Sequence, residues 1–218
     1  MNLKNRVTDE DLVELWDNWS RKRKSYPTYD KWLEKYDEDL KIRKSEILDL
    51  GSGIGANTAY LLERGYSVLS CDISKEALCN IEENISNSKT LCFDMTKTFP
   101  FDDNTYSIII ADLCIQYFCE IDTFYILEEI KRILKPNGIL LARVARVDDY
   151  AYGAGVGEEL EKNYYFEGDY YKRFFDENDV KKFFSRVGKL EYQSTSFIRE
   201  EKEYQEPKMV YEIKVVKE

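Results

Sequence analysis

Between residues 46 and 144 short apolar runs alternate with segments of helical period, and this rhythm constrains the fold more than any other feature of the chain. Strand candidates fall at 46–50, 66–71, 90–93, 106–111 and 138–144, and helical spacing of apolar residues fills 57–64, 75–86 and 123–134. Strands joined by crossover helices lie parallel, and the helices cover both faces of the sheet. The last of these helices runs into Lys135-Pro136-Asn137-Gly138, where proline and glycine stop it and turn the chain into a strand. After a helical stretch at 177–186 the alternation breaks. Two strand-like runs, 190–198 and 208–216, are separated by a polar link too short for a crossover helix, so they are predicted to pair as an antiparallel hairpin. The expected fold class is α/β: a doubly wound seven-stranded sheet, mostly parallel with a C-terminal antiparallel hairpin.

With 218 residues the chain suits one large domain, expected at 45–218, preceded by an N-terminal helical cap at 1–44. Thr8 and Asp11 resemble a helix start, and Leu12, Leu15, Trp16 and Trp19 follow on one helical face. Tyr29, Trp32, Leu33, Tyr36 and Leu40 repeat that pattern, which predicts a second amphipathic helix. The run Arg21-Lys22-Arg23-Lys24 between them reads as a solvated corner. Residues 148–175 follow neither period and are expected to form a long loop that covers a substrate.

Composition narrows the chemistry. Thirty-two basic against 42 acidic side chains leave a net charge of −10, which repels phosphate backbones, so no nucleic-acid partner is expected. Histidine is absent, which removes Ser-His-Asp, Cys-His and HExxH mechanisms together. The five cysteines are odd in number and never spaced as CxxC, so they read as small buried thiols of a reducing cytoplasm, with no disulfide framework and no metal site. A charged N-terminus and the lack of a long apolar run predict a soluble, cytoplasmic chain without a membrane span.

The stretch Ile47-Leu48-Asp49-Leu50-Gly51-Ser52-Gly53-Ile54-Gly55-Ala56-Asn57 places a strand, a glycine-rich turn and a helix in immediate succession. Glycines there permit a tight turn and the approach of a ligand to main-chain N–H groups. Asp72, near the end of the next strand, can accept both hydroxyls of a ribose. Asp49 stands two residues before the first glycine, where a carboxylate faces a pyrophosphate badly and suits a ligand with ammonium and sulfonium groups. Asp94, with Met95 beside it, can accept from an adenine amino group, and Asp112 ends the fourth strand. Four successive strands thus finish at or near an aspartate on the carboxyl edge, where open α/β sheets bind ligands.

These features resemble the class I S-adenosylmethionine-dependent methyltransferases. ILDLGSGIG, CDIS, FDM, the acid of IIIADL and the RILKPNGILL transition carry the resemblance over roughly 45–147, and the terminal hairpin extends it. It implies a Rossmann-like sheet and S-adenosyl-L-methionine as cofactor. It also implies contacts to the cofactor's methionine part from Asp49, Gly51, Ser52, Gly53, Gly55 and Asn57. Asp72 would bind the ribose with Ile73 beside the adenine, Asp94 and Met95 would read the adenine edge, and Asp112 and Leu113 would lie under the methionyl portion. Methyl transfer is an in-line displacement governed by positioning, so the missing histidines do not oppose it.

The acceptor is narrowed by what is missing. Asp112-Leu113-Cys114-Ile115 lacks the prolines of enzymes that methylate exocyclic amines, Cys114 lacks the proline of cytosine carbon-5 enzymes, and Asp148-Asp149 alone could serve a metal. Ile115-Gln116-Tyr117-Phe118 is similar to a stretch in tellurite- and thiopurine-type small-molecule methyltransferases, with Gln where that stretch has His. Gln116, Tyr117, Tyr164 and Tyr165 are candidate substrate residues; the aromatic rings of 148–175 could enclose an acceptor or pack the cap onto the sheet. Arg143 and Arg146 could anchor an acceptor carboxylate or pair with a neighbouring acid. The expectation is a metal-free methyltransferase, monomer or homodimer, acting on a small-molecule acceptor. Alternatives are a protein or RNA methyltransferase and a non-catalytic S-adenosylmethionine-binding regulatory module.

Overall fold

The structure, a computed structural model, describes residues 9–43, 45–198 and 206–218. Seven strands form one sheet: β1 (Ile47–Leu50), β2 (Val68–Asp72), β3 (Lys89–Cys92), β4 (Tyr106–Asp112), β5 (Leu134–Ala145), β9 (Lys189–Phe197) and β10 (Lys208–Val216). Their order is β3-β2-β1-β4-β5-β10-β9. The first five are parallel, and β10 runs antiparallel to both β5 and β9. The strand order reverses between β1 and β4, and a crevice opens at their carboxyl ends.

Period-two alternation sends neighbouring side chains of the central strands to opposite layers. Leu48, Leu50, Ile109, Leu140 and Ala142 pack with Ile126 and Ile130 of α5 (Glu120–Ile133) and with Phe183 and Phe184 of α6 (Glu177–Phe184). Ile47, Ile108, Ile110, Ile139 and Leu141 pack on the other face with Tyr60 and Leu61 of α3 (Ala56–Glu63) and with Trp32, Leu33, Tyr36 and Leu40. Those last four aromatic and aliphatic residues belong to the segment predicted as a second helix. It folds as a 3-10 turn at Trp32–Tyr36 followed by the short α2 (Asp37–Ile42), because its apolar residues must follow the sheet rather than a single helical face.

Helix α1 (Asp9–Arg21) packs across the start of α4 (Lys75–Asn84). Asp17 accepts from the Ser74 hydroxyl at 2.7 Å and from the Glu76 N–H at 3.3 Å, and the Ser20 carbonyl accepts from Asn80 at 2.9 Å. Of the basic run, Arg21 bonds Asn18 and Glu76, and Arg23 stacks on Trp19 with its guanidinium 3.9 Å from the ring centre. Thr8 and most of the link between the last two strands lie outside the described residues.

The expected long loop is not one. Residues 158–173 form a second, three-stranded antiparallel sheet from β6 (Glu158–Glu161), β7 (Tyr164–Glu167) and β8 (Tyr170–Arg173). Two-residue turns join these strands, with Asn163 and Gly168 at φ of 60° and 68°. No helix among the described residues is long and apolar enough to cross a membrane. Cys71 and Cys114 are buried as expected; Cys79 and Cys92 are exposed, because they fall on a solvent face of α4 and on the edge strand β3.

Candidate functional site

The chain leaves β1 at Leu50, turns through Gly51-Ser52-Gly53-Ile54-Gly55 and enters α3. Gly51 and Gly53 hold left-handed backbone at φ of 62° and 52°, a conformation that L side chains resist. A side chain at Gly51 would also collide with Cys114, whereas no atom lies within 4 Å of the place a Cβ would take at Gly53. Leu113, the residue after β4, is left-handed too at φ 56° without being glycine, and its N–H donates to the Arg143 carbonyl at 2.9 Å. Backbone held this way concentrates at ligand sites.

These segments border a cavity of about 830 Å³ at the carboxyl edge of the sheet. Gly51, Ser52, Gly53, Asn57, Asp72, Ile73, Asp94, Met95, Asp112 and Leu113 are on its wall, and so are Gln116, Tyr117 and Arg143. Asp49 and Gly55 are not among the lining residues. Asp49 lies behind the turn, 1% exposed, accepting from the Thr58 hydroxyl at 2.9 Å. Burial, with Asp112 and Asp72 nearby, raises its carboxyl to about 7 against the opposing hydrogen bond from Thr58. Gly55 is the residue before α3, and a side chain there would press on Ile81 and Ile85.

The remaining acids differ in how much of their hydrogen-bonding capacity the protein itself consumes. Asp72 Oδ2 accepts from the Gly53 N–H at 2.8 Å and Oδ1 from the Ser74 N–H at 2.9 Å. Burial raises its carboxyl and those two N–H groups oppose the rise. Asp94 Oδ1 accepts from the Thr96 N–H and hydroxyl, both at 2.8 Å, with Lys97 3.7 Å from Oδ2. Asp112 is held by Arg143 through two bonds of 2.7 Å and by the Asn57 amide at 3.3 Å. Burial pushes the Cys114 thiol well up, so it is no thiolate nucleophile.

Arg143 does not offer itself to an acceptor carboxylate. It is 4% exposed, bound to Asp112 on one side and to Asp30 at 2.6 Å on the other, and lies between the rings of Trp32 and Phe197. Arg146 pairs with Asp148 at 2.5 Å, and Asp149 accepts from Lys208 at 3.0 Å and from the Met209 N–H at 2.9 Å. The two acids considered for a metal are thus structural, and no metal-binding cluster exists among the described residues.

Gln116 is 2% exposed, and its Oε1 accepts from the Ala145 N–H at 3.0 Å. That bond sets the amide orientation and leaves its NH2 as the group available in the cavity. Tyr117 packs edge-on against Trp16 at 4.6 Å between centroids. Tyr164 and Tyr165 are off the wall: Tyr164 stacks on Tyr171 and reaches the Tyr117 carbonyl at 3.4 Å, and Tyr165 packs on Phe174. Their strand neighbours Glu167, Tyr170 and Lys172 line the cavity instead, with Tyr152 and Gly153. Strand-turn-strand spacing around Gly168-Asp169 was the sequence signal that could have found them. Trp16 and Trp19 of α1 close the other side.

Three comparisons bear on this geometry. A family model described as a methyltransferase domain matches residues 48–142. The Bacillus subtilis protein named "Putative methyltransferase YqeM" is 31% identical over 121 residues, 54% of this chain and 49% of that protein. The tRNA N(3)-cytidine methyltransferase METTL2 of Gallus gallus is 26% identical over 155 residues, 65% of this chain and 42% of that protein. The chain therefore spans about half or less of the length of these relatives. Among solved structures, Burkholderia thailandensis 1,6-didemethyltoxoflavin-N1-methyltransferase, with 1,6-didemethyltoxoflavin and S-adenosylhomocysteine bound, superposes with a TM-score of 0.60 at 14% identity, covering 96% of this chain and 86% of that one.

Proposed function

We propose that the chain is a class I S-adenosylmethionine-dependent methyltransferase and that it transfers a methyl group from S-adenosyl-L-methionine to a small-molecule acceptor by direct displacement. The observation that carries this reading is one cavity, about 830 Å³, bordered both by the glycine turn with its aspartates and by Gln116, Tyr117 and the β6–β8 sheet. That volume falls in the roughly 300–1,000 Å³ range of small-ligand pockets. The residues present fit the cofactor: Gly53 is open where a side chain would obstruct, Asp72 offers a carboxylate for hydroxyls, and Ile73 and Met95 offer apolar surface.

When bound, S-adenosylmethionine supplies a methyl group on a sulfonium, ready for in-line attack. The chain's own contribution is positioning. Asp72 holds a ribose, Asp94 and Met95 the adenine edge, and the Gln116 amide donates to an acceptor atom of the substrate. Trp16, Trp19 and Tyr117 exclude water from the reacting centre. No histidine is available as a base, so the attacking atom arrives with its lone pair free or yields its proton to a carboxylate.

Calorimetric titration with S-adenosylhomocysteine, with NADH as control, tests the cofactor. One-to-one binding of the former is expected, weakened at least about tenfold in Asp72→Asn, which keeps an acceptor for the backbone. Binding of NADH alone would sink the methyltransferase reading, and an undiminished affinity in Asp72→Asn would remove the ribose role. RNA methylation is the second reading, favoured by the METTL2 likeness and opposed by the net charge of −10. Methyl transfer to tRNA but to no small acceptor would replace the first reading with it.

A further inference from the structure

Resting on that methyltransferase reading, we propose that the acceptor is an amine-bearing aromatic molecule and that Glu167 is the residue that selects it. Among the described residues, the cationic side chains on the cavity wall are already engaged. Arg143 is held by Asp112 and Asp30, Lys172 donates to the Tyr152 carbonyl at 2.7 Å, and Lys208 pairs with Asp149. Glu167, half-buried at the end of β7, meets no Lys or Arg among the described residues. Its Oε2 accepts from the Tyr170 hydroxyl at 3.1 Å, directly across the β7–β8 pairing.

The niche for this carboxylate is built by its neighbours. Gly153 is left-handed at φ 92°, and a Cβ there would stand 3.0 Å from Glu167 Oε2, so the glycine leaves room for the carboxylate at the wall. The Gln116 amide, buried and with its NH2 left for a ligand, is a second polar group on the same wall. Tyr170 is hydrogen-bonded to Glu167, and Tyr152, Trp16 and Tyr117 line the same cavity. A carboxylate in a cavity that is also lined by aromatic rings attracts an ammonium group and repels a carboxylate, because both the charge and the ring faces favour cations. The molecule that satisfies this lining carries an aromatic ring, an amine for Glu167 and a hydrogen-bond acceptor for Gln116.

Calorimetry on the full chain saturated with S-adenosylhomocysteine tests the proposal with two ring-matched probes, tyramine and 4-hydroxyphenylacetate. Tyramine is expected to bind at least about tenfold more tightly than the acid. Glu167→Gln should abolish that preference while changing the affinity for S-adenosylhomocysteine less than about twofold. Tyr170→Phe, which removes the hydroxyl holding Glu167, should lower the preference several-fold and serves as the reading if Glu167→Gln fails to fold. Equal or tighter binding of the acid, a preference that survives Glu167→Gln, or no binding of either probe to the loaded chain would overturn the proposal. A parallel fall in S-adenosylhomocysteine affinity in Glu167→Gln would assign the carboxylate to the cofactor's ammonium and overturn it too. Failure of the native chain to bind S-adenosylhomocysteine is read before any probe is added, and removes the underlying methyltransferase reading itself.

Discussion

Asp49 concentrates what a single residue contributes here. Its position before the glycine turn is legible in the sequence, but its burial is not, because burial depends on α3 bringing Thr58 over it and β2 bringing Ser70 beside Thr58. Its Oδ1 has no hydrogen-bond partner among the described residues. A carboxyl raised from 3.8 to about 7 on folding keeps its proton in the native state over a range where the unfolded chain has lost it. Native stability from this residue is therefore unaffected below about pH 4, falls as pH rises toward 7, and is flat above. Asp49→Asn lacks that loss. Relative to the native chain, its stability in urea denaturation should rise between pH 4 and 7 by up to a few kcal/mol, at about 1.4 kcal/mol per pKa unit. Carboxyls that folding lowers, such as Glu129 and Asp176, act alike in both proteins and cancel in the comparison. A difference that does not change with pH would show that Asp49 is ionised in the native state.

At the scale of elements, the parallel strands and their helices are legible because their periodicities are local, whereas β6–β8 carries no periodicity that marks it as strands. Each of its strands is four residues long, too short for alternation to declare itself, and the aromatic residues fall on both faces. What anchors the small sheet is a contact no periodicity encodes. Arg173, 1% exposed, pairs with Glu161, and Glu161 also accepts from the Glu120 N–H at 2.9 Å, at the start of α5. Glu161→Gln leaves a buried guanidinium without its counter-charge. Breaking a fully buried pair costs about 3–5 kcal/mol, and the partial exposure of Glu161 reduces that to roughly 2 kcal/mol. Limited proteolysis should then cut within 150–175 much faster than in the native chain, while the seven-stranded sheet keeps its amide-exchange protection. Unchanged proteolysis would mean that aromatic packing alone holds the small sheet.

The cavity is a property of the whole molecule, since α1, the glycine turn, β6–β8 and the terminal hairpin all contribute to its wall. A ligand seated there stabilises the entire fold by mass action. S-adenosylhomocysteine at a hundred times its Kd should add about 2.7 kcal/mol, a rise in Tm of roughly 5–10 °C for a chain of this size. A rise confined to a minor early transition would show that the cap unfolds separately from the sheet. The doubly wound sheet, its terminal hairpin, the glycine turn and the row of aspartates on one edge are all written in the amino-acid order. Those features repeat or adjoin within a few residues, so local periodicity and turn chemistry suffice to specify them. Which charges remain to meet a ligand depends instead on contacts between segments far apart in the chain. Arg143 finds Asp30 across 113 positions of chain, and it is that distant pairing which takes an apparent carboxylate anchor out of the cavity's chemistry. Glu167, by contrast, stands on the wall without a basic partner among the described residues, because the β6–β8 turns carry it there.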